Sequence, residues 1–115
     1  MAKLKLMDSK ELEFKDVTTE GAEKTKIKWL ISSNDGAENF QMRVFKVEPG
    51  GRTPLHSHDW EHEIFVLSGQ GKLIFEKKEY KLKPDYFALV PANSEHSFIN
   101  DGEEPFIFLC LIPVK

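Results

Sequence analysis

No disulfide can brace this chain, because Cys110 is its one cysteine. That residue by itself indicates no compartment. An apolar run of transmembrane length is missing, and the N-terminal MAKLKLMDSKELEF lacks the apolar centre of a signal peptide. These absences make a cytoplasmic protein without a membrane partner the expectation. Charge of one sign is also missing. The 16 basic and 19 acidic residues are interspersed and leave a formal charge of -3, so no nucleic-acid partner is expected either. There is no internal repeat, no low-complexity tract, and no ten-residue stretch with a helical stripe. Histidine is scarce, with four in 115 residues.

What is present is a soluble globular composition, 40% hydrophobic and 30% charged, of a length suited to one domain with its own core. Short runs alternate with period two and are rich in Phe, Ile, Leu and Val. They are KIKWLI (26–31), FQMRVFKV (40–47), HEIFVL (62–67), GKLIFEK (71–77), YFALVP (86–91), HSFIN (96–100) and FIFLCLIP (106–113). Between them lie NDGAE, EPGGRTP, SGQG, KPD, PANSE and NDGEEP, each a turn composition. Many short strands without helices predict an all-β single domain, a sandwich or barrel. Residues 1–39 are expected as an N-terminal arm with strands packing on a barrel of residues 40–115. KDVTTEGAEKTK, polar throughout, reads as a loop or part of that arm.

Alternation assigns faces. Arg43, Phe45 and Val47 oppose Lys46 and point inward; Leu73 and Phe75 point inward while Lys72 and Glu76 point out. In the last strand Phe106, Phe108, Cys110 and Ile112 share one face, and Ile107, Leu109 and Leu111 share the other. Both faces are apolar, which predicts cover from the core on one side and from a second subunit on the other.

Three of the four histidines fall within the seven residues HSHDWEH, as His56, His58 and His62; His96 follows in VPANSEHSF. A single histidine is ordinarily a surface or hydrogen-bonded residue. Four clustered rings differ: buried without a metal each needs partners, and protonated together they repel. His56 and His58 project from one face of an extended segment, and an antiparallel return is expected to carry His62 back across from them. Neutral imidazoles converging in this way suit a divalent transition ion.

The same residues carry a resemblance to the cupins. Their first motif, G-x5-H-x-H-x3/4-E-x6-G, is similar to Gly50, His56, His58, His62 and Gly69. Their second, G-x5-P-x-G-x2-H-x3-N, is similar to Asp85, Pro91, Asn93, His96 and Asn100. His62 stands where most cupins place a glutamate. Glu63 would fit the longer spacing, but it points away from His62 and displaces the closing glycine onto Gln70. Asp85 and Asn93 replace glycines, and both residue types tolerate the left-handed turn conformation. HSHDWEHEIFVLSG resembles the small single-domain manganese cupins with four histidine ligands. The resemblance implies a jelly-roll β-barrel, a homodimer, and one metal ion per chain on His56, His58, His62 and His96. Manganese is first by resemblance and iron second; imidazole chemistry itself suits iron, nickel, copper or zinc better.

Four neutral ligands leave the ion's charge uncompensated, which strengthens it as a Lewis acid and draws anions. The leading expectation is a metal-dependent oxidoreductase using dioxygen or peroxide on a small unsaturated or enolic substrate. A non-redox isomerase or lyase working through an enolate, and a small-ligand-binding module without chemistry, are the rivals. Arg43, Phe108, Cys110 and Ile112 are the candidate pocket residues. Arg43 is either paired with a carboxylate, or stretched toward water, or an anchor for an anionic substrate. Cys110 is either a small buried hydrophobe or a thiol near the metal. Trp60 reads as a packing anchor rather than a lid.

Overall fold

The structure, a computed structural model, describes residues 3–115; the first two residues of the expected arm lie outside the described residues. Nine strands form one curled sheet: β1 (Lys15–Asp16), β2 (Glu23–Ile31), β3 (Phe40–Arg52), β4 (His62–Ser68), β5 (Gly71–Phe75), β6 (Lys78–Leu82), β7 (Phe87–Val90), β8 (His96–Ile99) and β9 (Phe106–Pro113). Among the described residues, helix is confined to two three-residue 3-10 turns, Ser9–Glu11 and Ser33–Asp35. No helix among the described residues is long and apolar enough to cross a membrane.

The strand order is β6-β5-β8-β3-β9-β4-β7, and β2 joins through β3 and β1 through β2. All these pairings are antiparallel. The thirteen-residue β3 is the spine. Its N-terminal part pairs with β9 and β2, and its end reaches β8 through Arg52 and Ile99. Curling brings the inward residues together. Val47, Val66, Val90, Phe106, Phe108 and Cys110 lose nearly all contact with water, and Ile64, Leu73, Leu82 and Phe98 pack with them. Phe108 lies at the centre of an aromatic cluster, with ring centroids 4.5 Å from Phe98, 5.1 Å from Phe106 and 5.4 Å from Phe45.

The sequence reading and the fold differ at three places. KEYKL forms β6, which pairs with β5 although its first four residues are exposed. Without apolar alternation, nothing in its pattern signals a strand. Glu76, expected as an outward strand residue, instead forms the hairpin turn with Lys77, with φ of 47° and 69°. Two-residue turns of this kind favour Gly or Asn, which are absent here. The third difference is the approach of His62. β4 pairs with β7 and β9, not with the His56–His58 segment. The three residues between His58 and His62 make no hairpin, and curl of the sheet rather than a local return carries His62 inward.

The polar KDVTTE stretch supplies β1, which adds to the β2 edge, where Val17 N–H also donates to the Thr25 carbonyl. Ahead of it the chain is tied to β2 from outside: Lys28 Nζ donates to the Ser9 carbonyl at 2.9 Å and sits 4.4 Å from the Phe14 ring centroid.

Candidate metal centre

Backbone pairing places the first two rings. His56 and His96 form an isolated antiparallel bridge, exchanging N–H···O bonds of 3.1 and 2.9 Å. Residues directly opposite across such a bridge project to the same side. Their ring centroids are 5.3 Å apart. His58 follows two residues after His56 on the same side, its carbonyl held by the Asn93 N–H. His62 opens β4 and enters from the facing part of the sheet.

The four rings meet. His58 lies 4.1 Å from His56, 5.1 Å from His62 and 5.8 Å from His96 by centroid, and His62 lies 4.9 Å from His96. One ligand-capable nitrogen from each of His56, His58 and His96 falls in a set within 4.8 Å. The Nε2 atoms of His56 and His58 approach to 2.5 Å. His62 stands beside that trio rather than inside it.

Protonation favours ligation. Burial, then the neighbouring His56, His96 and Arg43, push His58 down to about 4. Burial, then His96 and Arg43, push His62 down to about 3. Burial and His96 also lower His56, against the Pro54 carbonyl, which raises it. At neutral pH these three rings carry lone pairs. His96 Nδ1 lies 2.9 Å from the Ser94 carbonyl. Donation there fixes the proton on Nδ1 and turns the Nε2 lone pair toward the other rings, the arrangement usual for a metal-ligating histidine. His56, His58 and His96 could together hold a divalent ion, with no carboxylate among the three.

Trp60 stacks on His58, with centroids 4.3 Å apart and planes 5° from parallel. That stack positions a candidate ligand. The Nδ1 atoms of His56 and His62, Trp60 Nε1 and Arg43 Nε are buried without hydrogen-bond partners among the described residues.

The rings stand on the wall of a cavity of about 400 Å³. Of the expected pocket residues, Arg43, Phe108 and Cys110 line it. Ile112 instead lines a separate hollow of about 170 Å³ with Glu61, Glu63 and Leu111; the turn of the curled sheet along β9 carries it past the rings. Sequence reasoning missed the segment Asp16, Val17, Thr18 and Thr19, which closes one side of the cavity. A polar stretch carries no pattern that announces such a role. Phe45 and Phe98 complete the aromatic wall, and inward parity on their strands was the available signal.

The second motif organises loops around the centre. Asp85 and Asn93 both take left-handed backbone, with φ of 74° and 63°. Asn100 is buried, and its Nδ2 donates to the Val47 and Glu104 carbonyls at 2.8 and 2.7 Å. It fastens the start of the β8–β9 loop to β3 and is not part of the cavity wall.

Comparison with known proteins agrees with this architecture. The polyketide cyclase RemF from Streptomyces resistomycificus superposes with a TM-score of 0.93 at 30% identity, over 98% of this chain and 81% of that one. A sugar phosphate isomerase from Silicibacter pomeroyi shares the fold, with a TM-score of 0.83 at 19% identity over 96% of this chain and 76% of that one. The 1-methylthio-D-xylulose 5-phosphate methylsulfurylase of Rhodospirillum rubrum is 29% identical over 72 residues, 63% of this chain and 46% of the relative. Auxin-binding protein T85 of Nicotiana tabacum is 28% identical over 94 residues, 70% of this chain and 50% of the relative. The chain thus spans about half the length of the curated relatives it matches. The Cupin domain model, Cupin_2, matches residues 43–112, and the protein belongs to the cupin family.

Proposed function

We propose that this cupin is a metal-dependent enzyme acting on a small enolisable carbonyl compound by non-redox chemistry. The observation that carries the proposal is the convergence of imidazoles on the wall of an otherwise largely apolar cavity of about 400 Å³. A space of that size accepts a small organic molecule and excludes most bulk water around it. His56, His58, His62 and His96 would hold one divalent ion, with manganese favoured by the resemblance to the manganese cupins. When bound, the ion supplies Lewis acidity toward a carbonyl oxygen. The chain's own part is to keep His56, His58 and His62 neutral, to orient the substrate between Phe45, Phe98 and Phe108, and to close the mouth with residues 16–19.

The non-redox reading draws on the polyketide cyclase that shares 30% identity over 98% of this chain. Ring closure of a poly-carbonyl chain requires an enol carbon to attack a carbonyl, which needs no oxidant. Dioxygenase or peroxide chemistry, the leading expectation from sequence, is not specifically supported by the relatives described above. The test is α-proton exchange of a 1,3-diketone in heavy water, followed by NMR under strict anaerobiosis. Metal-dependent exchange that disappears in His58→Ala is the expected result. Turnover only with oxygen consumption would replace this reading by the oxygenase one.

A second copy of the chain is the proposed partner, seated on the outer face of β4, β7 and β9. Phe65 lies opposite Phe87 on one side and Leu109 on the other, and Phe87 and Leu89 are 78% and 58% exposed. The apolar stripe continues through the half-buried Ile107, Leu109 and Leu111. A patch of this kind can meet its own copy across a two-fold axis.

A further inference from the structure

Among the described residues, Arg43 is a cation without a counter-ion. Its place on β3, opposite Cys110 of β9 and Trp29 of β2, turns the side chain into the sheet's concave side. The guanidinium carbon sits 4.9 Å from the Phe45 ring centroid and 5.4 Å from that of Trp29. One terminal nitrogen donates to Cys110 Sγ at 3.0 Å, and Nε is buried with no partner. Among the described residues, no carboxylate lies within 4.0 Å of it. Cys110 does not neutralise it, because burial holds that thiol above its ordinary range despite the arginine's pull. Asp16 is the one carboxylate among the cavity-lining residues, and it is exposed.

A half-buried guanidinium whose buried Nε lacks a partner is costly unless an anion meets it. Its planar fork matches a carboxylate. A phosphate dianion would want further donors, yet no lysine lines the cavity. The adjoining wall is three phenylalanine rings, Phe45, Phe98 and Phe108. We infer that the cavity accepts a planar aromatic carboxylate, whose anionic group pairs with Arg43 while its rings lie against Phe45, Phe98 and Phe108. The inference rests on reading the cavity as a substrate site, and it specifies the anionic and aromatic groups that a substrate would carry beside its enolisable carbonyl, independently of any metal.

The experiment measures binding of 2-naphthoate and of its neutral isostere 2-naphthamide to the full chain by calorimetry at neutral pH. Protein is used both as purified and after chelation. The acid is expected to bind about tenfold tighter or more in both preparations, the size of a charge-assisted hydrogen-bonded pair. Arg43→Gln should erase that preference, and Arg43→Lys should keep part of it. Equal affinity for acid and amide in the unaltered protein overturns the inference, whatever the variants do. So does a preference that survives Arg43→Gln, a preference lost on chelation, or absence of binding by both probes. Because chelated protein is included, failure here is separable from failure of metal-dependent proton exchange.

Discussion

His58 links most of the site's contacts. It touches the other three rings, stacks on Trp60, and has its carbonyl anchored by Asn93. Replacing it with alanine removes one nitrogen and frees the Trp60 face. Elemental analysis after dialysis should show His58→Ala losing most bound metal, by about 10-fold or more in affinity. Retention at the unaltered level would mean that another residue ligates. Titration gives a second prediction for chelated protein. His58 and His62 have folded values near 4 and 3, below the 6.5 of a free imidazole. Between those values the unfolded chain binds more protons than the folded one, so stability rises with pH across the window. It is complete above 6.5 and is lost as pH falls toward 4 and then 3. The urea midpoint of chelated protein should fall on acidification, and His62→Gln should flatten the fall. An identical slope in His62→Gln would remove His62 from the account and leave the carboxylates responsible.

At the scale of elements, turn conformation rather than strand content controls how the site is framed. Gly69 joins β4 to β5 with φ of 74°, and a Cβ there would fall 2.0 Å from the Pro105 carbonyl oxygen. Gly69→Ala therefore meets both an unfavourable backbone and a rigid obstacle, and should cost roughly 2–4 kcal/mol in a denaturant titration. Asn93, at φ of 63°, poses the opposite case. Gly in its place would relieve the left-handed strain, so Asn93→Gly should leave the thermal midpoint nearly unchanged. Asn93→Ala should lower stability by about 1 kcal/mol. Equal melting of the two variants would show that the Asn93 side chain, not its backbone, holds the loop against His58.

For the whole molecule, the two faces of β9 have different fates. Phe106, Phe108 and Cys110 fill the interior, while Ile107, Leu109 and Leu111 remain half-covered beside the exposed Phe87 and Leu89. If a second copy covers that face, light scattering on the unaltered protein should give twice the chain mass, and Phe87→Lys should return it to one. The substitution lies on the outer face, so metal content should be preserved. A monomeric unaltered protein would assign the patch to something else. The same curvature that leaves this face outside makes the cavity inside, because β3 contributes Arg43 and Phe45 while the segment after it contributes Thr53, Pro54, His56 and His58.

Period-two alternation and turn residues determined the all-β class, the inward set of β3, β5 and β9, and the shared side of His56 and His58; only the resemblance to the cupins joined His62 and His96 to them. These depend on neighbours along one chain, where the two-residue repeat of a strand assigns each side chain a face. The glycine replacements Asp85 and Asn93 were legible for the same reason, since left-handed backbone is a property of single residues. Tertiary structure alone decided what crosses between strands: the His56–His96 bridge, the entry of His62 from β4, the removal of Ile112 to another hollow, and the closure of the cavity by polar residues 16–19. Those depend on sheet order and curl, and both arise from contacts between segments far apart in sequence, which no local pattern encodes.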